Sequence, residues 1–529
     1  MSESTEPSVA VPARRAGGPN VVLIQVDQLA PRYLSFYGHP RVKTPNLDRL
    51  AARSVVFDQA YCNYPLCSPS RASMLTGCLP FSISQWDNGA EFFAEIPTLA
   101  HYLRAAGYST TLCGKMHFVG PDQHHGYEER LLTDIYPSDF AWTTDWQHVF
   151  RPGGGIRIRN VVESGVCVRA LQIDYDEEVE FHARRKLFDL ARDPGDRPFF
   201  LTVSFSHPHP PFVITPEYWD FYADADIDMP RLGAIPPEQL DPFNRARWAM
   251  MGHQFYDLDD DHVRRARHAY FGMISYVDAK IGAVLDALRD TGLEDDTIVV
   301  FTSDHGEMLG ERGMWLKDTF FEDAIRVPLL VAGPGVTPRR MSNCVSLVDL
   351  APTVLDLVGA TRPPASPFDG ASFARLLAGE ASGWKDEVIA DWAGGGHDQA
   401  SRMLRQGRFK YLWHHGLAPM LFDLVADPDE QHDLAGSPSY AEVEATLRAR
   451  LAGSWDPAEV SARVRVSQQR RLFLQDVFDR SGKYSNWSAQ VALDDAHRFV
   501  RGRASSFYAK ARLRFPFVEP VPPDHPEAQ

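Results

Sequence analysis

The sequence predicts an α/β protein: a mostly parallel central sheet sandwiched by helices, with a smaller α+β unit toward the C-terminus. Three observations carry this. Apolar runs at 20–27 (NVVLIQVD), 198–206 (PFFLTVSFS) and 297–303 (TIVVFTS) are nearly continuous, as in strands buried on both faces. Helical stretches separate such runs, and a parallel pair needs a crossover of that kind. After about residue 375 the pattern changes to short strand-like segments followed by a single helix.

In chain order, the first strand (20–27) ends in a polar residue. A helix follows over 44–53, with Thr44 as its cap and Pro45 at its first position. A second helix, 98–106, is closed by Gly107 and leads into the strand-like YSTTLC. A long amphipathic stretch, 259–291, lies between the strands at 198–206 and 297–303. GRFKYLWHH and MLFDLVADP read as strands of a small antiparallel sheet, and 440–452 as a helix ended by Gly453. The expected organisation is a flexible lead-in (1–18), a catalytic α/β domain (19–375), an α+β subdomain (376–467) and a tail (468–529) packing on this subunit or a neighbour. No internal repeat is evident.

Composition narrows the function. The 529 residues are 44% hydrophobic and 23% charged, enough to bury a large core. Seventy acidic against 54 basic residues leave a formal charge of −16, which argues against nucleic acid or an anionic membrane as partner. A small anionic substrate stays possible if its pocket collects local cations. No run approaches the roughly 20 apolar residues of a membrane span, and the first residues lack the apolar core of a signal peptide. The six cysteines fit no disulfide framework or CxxC zinc pattern. A soluble, cytoplasmic protein is expected.

Polar residues gather where the strands end. Asp27-Gln28 and Asp304-His305 would make a divalent-metal site if they converged, since ligands bind beyond the carboxyl ends of strands in open α/β sheets. Taken singly, each pair serves as well for capping a turn or a helix. A mostly oxygen donor set suits calcium, and the imidazole moves it toward manganese. Lys115 could bind an anion and His117 could move a proton. SHPHPPF offers His207 and His209 in a proline-stiffened loop. Lys317 matters only if its loop folds back over Asp304. Cys67, in PLCSPSRASMLTG, could be a buried thiol, a zinc ligand without neighbours at the usual spacing, or a thiolate nucleophile at a helix N-terminus beside Arg71.

CSPSR with a downstream LTG resembles the signature of the type I sulfatases, members of the alkaline phosphatase superfamily. VDQ, GKMHFVGPDQ, SHPHPPF and SDHGEMLGERGMW occur in that family's order over about 20–335, and LFDLVADPDEQHDLA resembles its C-terminal domain. The resemblance implies that a formylglycine-generating enzyme oxidises Cys67 to formylglycine, whose hydrate is the nucleophile, with Arg71 steadying it. It implies Asp27, Gln28, Asp304 and His305, together with residue 67, as ligands of one divalent metal ion, calcium by family and manganese as the alternative. Lys115 and Lys317 would hold sulfate oxygens, His117 would lie beside the hydrate, and His209 on the leaving-group side. Pro69 and Arg71 would mark the thiol for conversion. Most of the family has Asp and Asn where this chain has Gln28 and His305.

Within the family, CNYPLCSPSRAS, DNGAEF and the segment 114–142 are similar to the choline sulfatases. Asn88 and Trp142 match positions of the choline pocket. TTDWQHVFRPGGG replaces that branch's Trp-rich segment, and FYAKARLRFPFVEPVPPDH lacks its acidic tail motif. The expected substrate is therefore an aryl or alkyl sulfate monoester. Choline sulfate is the alternative, as is a phosphonate monoester or phosphodiester. By the same resemblance the protein is expected to be a homo-oligomer, a dimer or tetramer.

Overall fold

The computed structural model describes residues 18–149, 157–192, 195–224, 227–360 and 367–488. Its strands are β1 (Asn20–Val26), β2 (Val55–Tyr61), β3 (Ser109–Gly114), β4 (Glu129–Arg130), β5 (Gly165–Val166), β6 (Phe199–Ser204), β7 (Val213–Ile214), β8 (Thr297–Ser303), β9 (Leu329–Ala332), β10 (Arg339–Ser346), β11 (Glu387–Trp392), β12 (Ser401–Gln406), β13 (Phe409–His414) and β14 (Met420–Asp423). Eight form the main sheet in the order β10-β2-β9-β8-β1-β6-β3-β4. Only β9 runs antiparallel to its neighbours, so the expected mostly parallel α/β sheet is present.

Side-chain alternation divides β1 between two cores. Val22, Ile24 and Val26 face one; Val21 and Leu23 face the other. The first core is closed by helices Leu171–Arg192 and Asp260–Asp290, the second by Cys67–Thr76, Leu99–Ala105 and Leu350–Val358. Asp259 caps the 31-residue helix by accepting from the His262 N–H. Thr98 and His101 form a capping box on Leu99–Ala105. The strands β2, β9 and β10 and the helix Leu171–Arg192 were not anticipated. β10 reads RRMSNCVS and is partly exposed along its first half, so it carries no continuous apolar signal.

Register places the chemistry. Gln25 pairs with Ser204 and with Thr302, Val26 with Ser303, and Gly114 with Ser204. The C-terminal ends of β1, β3, β6 and β8 therefore lie side by side; Asp27, Lys115 and Asp304 follow β1, β3 and β8 directly, and His209 lies five residues beyond β6.

The C-terminal sheet β11-β12-β13-β14 is antiparallel throughout. Met403, Leu412 and Phe422 join the second core of the main body, while Leu404, Tyr411 and Leu421 pack with Leu447 and Leu451 of the helix Ala441–Ala452. The expected start of a tail at 468 is corrected: it falls inside the single helix Pro457–Ser481. That helix continues because Gln468, Arg471 and Gln475 are buried, with Arg471 Nη1 2.6 Å from Asp87 Oδ1. Residues 489–529, the rest of the expected tail, and 1–17, most of the lead-in, lie outside the described residues. Among the described residues no helix is long and apolar enough to cross a membrane.

Candidate active site

Arg71 ties four strand ends together. Fully buried, it donates from Nε to Asp304 Oδ2 (2.8 Å), from Nη2 to Asp27 Oδ2 (2.9 Å), and from Nη1 to the Lys115 carbonyl (2.6 Å) and Ser204 Oγ (2.9 Å). These partners terminate or directly follow β8, β1, β3 and β6. Cys67 opens the helix Cys67–Thr76, and Arg71 is four residues on, so both lie on one face. Leu66 offers no side-chain cap, but Asn88 Oδ1 accepts from the Ser68 N–H at 3.0 Å. Asn88 thus anchors the turn that presents residue 67.

The two acidic pairs expected to converge do so. Asp27, Cys67, Asp304 and His305 are all buried, and each offers a ligand atom within 4.8 Å of the others. His305 Nε2 is 3.3 Å from the Cys67 sulfur, 3.6 Å from Asp304 Oδ1 and 3.9 Å from Asp27 Oδ1. Two carboxylates, an imidazole and residue 67 converging in a dry site fit a divalent cation, since buried like charges otherwise repel. Gln28 joins them through its backbone N–H, which donates to Asp304 Oδ1 at 3.1 Å. Its φ of 66° is uncommon for a residue with a Cβ and holds it over the cluster. The Gln28 amide then points both ways: Oε1 accepts from Lys317 Nζ at 2.7 Å, and Nε2 donates to Glu307.

Cations surround the sulfur. Lys317 Nζ lies 3.1 Å from Cys67 Sγ, so its loop does fold back over the site. Lys115 pairs with Asp27 and lies 4.2 Å above the Tyr136 ring. Burial alone would raise the Cys67 pKa, but Lys115, Lys317 and His305, with a contact from His117, hold it well below the usual thiol range. Burial likewise opposes ionisation of Asp27, and despite Cys67 the charges of Lys115, His209 and Arg71 hold its carboxyl well below the usual range. Asp304 is pushed up, chiefly by burial.

Histidines and aromatic rings close one side. His117 has φ 57° and is fixed through backbone N–H bonds from Met116 and His117 to Asp134 Oδ2, at 2.9 and 2.6 Å. Among the described residues its buried ring nitrogens have no hydrogen-bond partner, although the ring is close enough to lower the thiol pKa. Trp142 stands edge-on to His117 at 5.3 Å and 4.8 Å from Tyr136. His209 Nδ1 is 3.0 Å from the Tyr136 hydroxyl, and burial lowers its pKa. His207 is held instead by Asp176, with Nδ1 2.7 Å from Oδ2.

Sequence reasoning missed Glu307, Tyr136 and Asp134. Glu307 stands three residues after Asp304, inside SDHGEMLGERGMW, yet nothing in that spacing says it will accept from Gln28 and from the Leu309 and Leu316 N–H groups. Of the divergent segment 143–155, residues 150–155 lie outside the described residues.

The chain is similar to known proteins over most of its length. Residues 19–360 match the family described as Sulfatase, and 310–455 match the C-terminal family of N-sulphoglucosamine sulphohydrolase. A choline-sulfatase of Rhizobium meliloti is 41% identical over 94% of this chain and 99% of its own. An arylsulfatase of Clostridium perfringens is 29% identical over 80% of this chain and 92% of its own. The solved structure of a phosphonate monoester hydrolase of Agrobacterium radiobacter superposes with a TM-score of 0.67 at 27% identity, covering 84% of this chain and 96% of that one.

Proposed function

The chain belongs to the sulfatase family, and we propose that it hydrolyses aryl or alkyl sulfate monoesters to an alcohol and inorganic sulfate. The observation that carries this reading is residue 67 on the sulfatase signature, set between a buried carboxylate–imidazole cluster and the Lys317 ammonium. In the mature protein the thiol would be replaced by formylglycine, made by a formylglycine-generating enzyme. A hydroxyl of the hydrate then stands where Sγ is, and the second allows sulfate to leave.

Asp27, Gln28, Asp304, His305 and residue 67 would hold a divalent ion. Bound there, the ion supplies positive charge to a sulfuryl oxygen and acidifies the attacking hydroxyl. Calcium fits the two carboxylates, and manganese fits the nitrogen that His305 adds. Arg71 orients residue 67 by holding both carboxylates. Lys115 and Lys317 place charge where sulfuryl oxygens gather negative charge in the transition state. His117, whose ring nitrogens have no hydrogen-bond partner among the described residues, takes a proton from the hydrate, and the Lys317 ammonium delivers one to the departing alkoxide on the side that His209 borders. Trp142 and Asn88 would border the alcohol.

Two other substrates are favoured by relatives: choline sulfate by the choline-sulfatase, and a phosphonate monoester by the solved hydrolase. Measuring kcat/KM on 4-nitrophenyl sulfate, choline sulfate and a phenylphosphonate ester separates them. The broad sulfatase reading predicts fastest turnover of the aryl sulfate, and turnover of choline sulfate alone would overturn it.

A further inference from the structure

Beyond the cluster at the strand ends, a buried arginine has no ion pair among the described residues. Arg247, on the helix Pro242–Met250, is 1% exposed. Its Nε, Nη1 and Nη2 have no hydrogen-bond partner among the described residues. The indole N–H of Trp392, whose ring lies 4.9 Å from the guanidinium carbon, is unpartnered too. Phe243 lies 5.2 Å away on the same guanidinium. Both are buried donors with no acceptor in hydrogen-bond reach among the described residues. Burial lowers the Arg247 pKa to about 10, which leaves it charged at neutral pH. A buried unpaired cation is retained against its desolvation cost only where something else compensates it.

Three contacts tie the surroundings of Arg247 to segments that carry residues of the reacting site. Trp392 packs on Tyr64, three residues before Cys67, at 5.2 Å. Asn244, on the helix that carries Arg247, accepts from Thr319 Oγ1 at 2.7 Å, two residues beyond Lys317. Gly395 approaches Thr144, two residues beyond Trp142. The next residue, Gly396, has φ +78°, and a Cβ there would lie 1.9 Å from Arg247 Nη2. Glycine at 396 therefore lets the backbone close over the guanidinium. The charge of Asp318 acts on Arg247, but the two form no ion pair within 4 Å.

Building on the sulfatase reading, we propose that Arg247, with the Trp392 N–H, is a specificity-determining residue that binds an anionic substituent, a carboxylate or a second sulfate, on the alcohol portion of the substrate. The preferred substrate class is then a sulfate ester with a second negative charge. A guanidinium is suited to this because it meets a carboxylate or sulfate with two parallel N–H bonds. The same charge repels a quaternary ammonium, so choline sulfate is disfavoured.

The test compares 3- and 4-(sulfooxy)benzoate with their methyl esters, 1,4-phenylene disulfate with phenyl sulfate, and choline sulfate. The metal-loaded, formylglycine-containing enzyme is used. In the wild type, at least one doubly anionic ester should exceed its singly charged counterpart at least tenfold in kcat/KM. In Arg247→Met that ratio should collapse toward one, and in Arg247→Lys it should fall between. Arg247→Met should also melt no lower than wild type, because no partner is left unpaired; a structural arginine would cost stability. A ratio near one in the wild type, a ratio unchanged in Arg247→Met, or a preference for choline sulfate overturns the proposal. Flat ratios with good turnover leave the sulfatase reading standing, whereas no turnover of any sulfate ester overturns both.

Discussion

The Lys317 ammonium lies 3.1 Å from the Cys67 sulfur and donates at 2.7 Å to Gln28 Oε1. One side chain thus links the nucleophile's position to the loop after β1, and its charge is used at two places. Its position in the chain, 250 residues from Cys67, gives no hint of this. Replacing Lys317 with Ala is expected to lower kcat/KM for an aryl sulfate by roughly 10²–10³-fold, the scale for losing one preorganised charge on a developing anion. Steady-state kinetics on wild type and variant, with residue 67 shown by mass spectrometry to be equally converted, provides the measurement. A loss below about threefold would remove Lys317 from the site.

Residue 67 itself should be seen as formylglycine. The tryptic peptide containing it, residues 54–71, should bind an aldehyde-reactive hydrazide and carry one alkylatable thiol, that of Cys62, rather than two. Cys67→Ala should lower turnover by at least roughly 10³-fold, since nucleophile and metal ligand go together. Full activity from a peptide that carries only the thiol would refute the proposed nucleophile.

Gln28 is an amide because of Glu307. Its Nε2 donates to that buried carboxylate while Oε1 accepts from Lys317. Gln28→Glu would set two carboxylates against each other in a dry site and is expected to cost about 1–3 kcal/mol. The pair Gln28→Glu with Glu307→Gln should recover most of it. Urea unfolding of the four proteins in a double-mutant cycle reads the coupling, and additive losses would show that the contact does not matter.

Removing divalent ions should abolish turnover and lower the melting temperature together. Asp27, Asp304 and residue 67 sit in one buried cluster, so an ion bound there would offset their repulsion in the folded state only. Dialysis against a chelator, followed by calorimetry and by re-addition of calcium or manganese, tests both effects. Undiminished turnover after exhaustive chelation would rule out the metal site.

Acid stability should depend on a buried histidine outside the strand-end cluster. His414 stacks on Phe243 at 3.9 Å, and burial, with His397 and Arg247, lowers its pKa to about 3. The unfolded chain takes up this proton near pH 6.5 and the folded protein only near 3, so unfolding binds a proton anywhere between. Stability is therefore intact above the unfolded value and falls on acidification through that window, by up to about 1.4 kcal/mol per pH unit. His414→Phe should flatten the slope by about one proton. Unfolding free energies measured by denaturant titration across the window test this, and an unchanged slope would contradict it.

By itself the sequence determined the parallel sheet and singled out residue 67 as the proposed nucleophile. Strands buried on both faces must be apolar throughout, so NVVLIQVD and TIVVFTS declare themselves, and the polar residues that end them mark the sheet's C-terminal edge. CSPSR marks residue 67 because that local signature resembles the sulfatase motif. Strands such as β10 were silent, since a partly exposed strand at the edge of the sheet carries no continuous apolar run. Only the tertiary structure decided which distant groups meet: Arg71 across four strand ends, Lys317 on Cys67, Glu307 behind Gln28, and Arg247 alone beneath Trp392. Such contacts depend on strand register and loop path, which are set by packing over hundreds of residues rather than by any local pattern. A buried charge without a partner is the extreme case, because an arginine in a sequence looks the same whether it is solvated, paired or waiting for an anion.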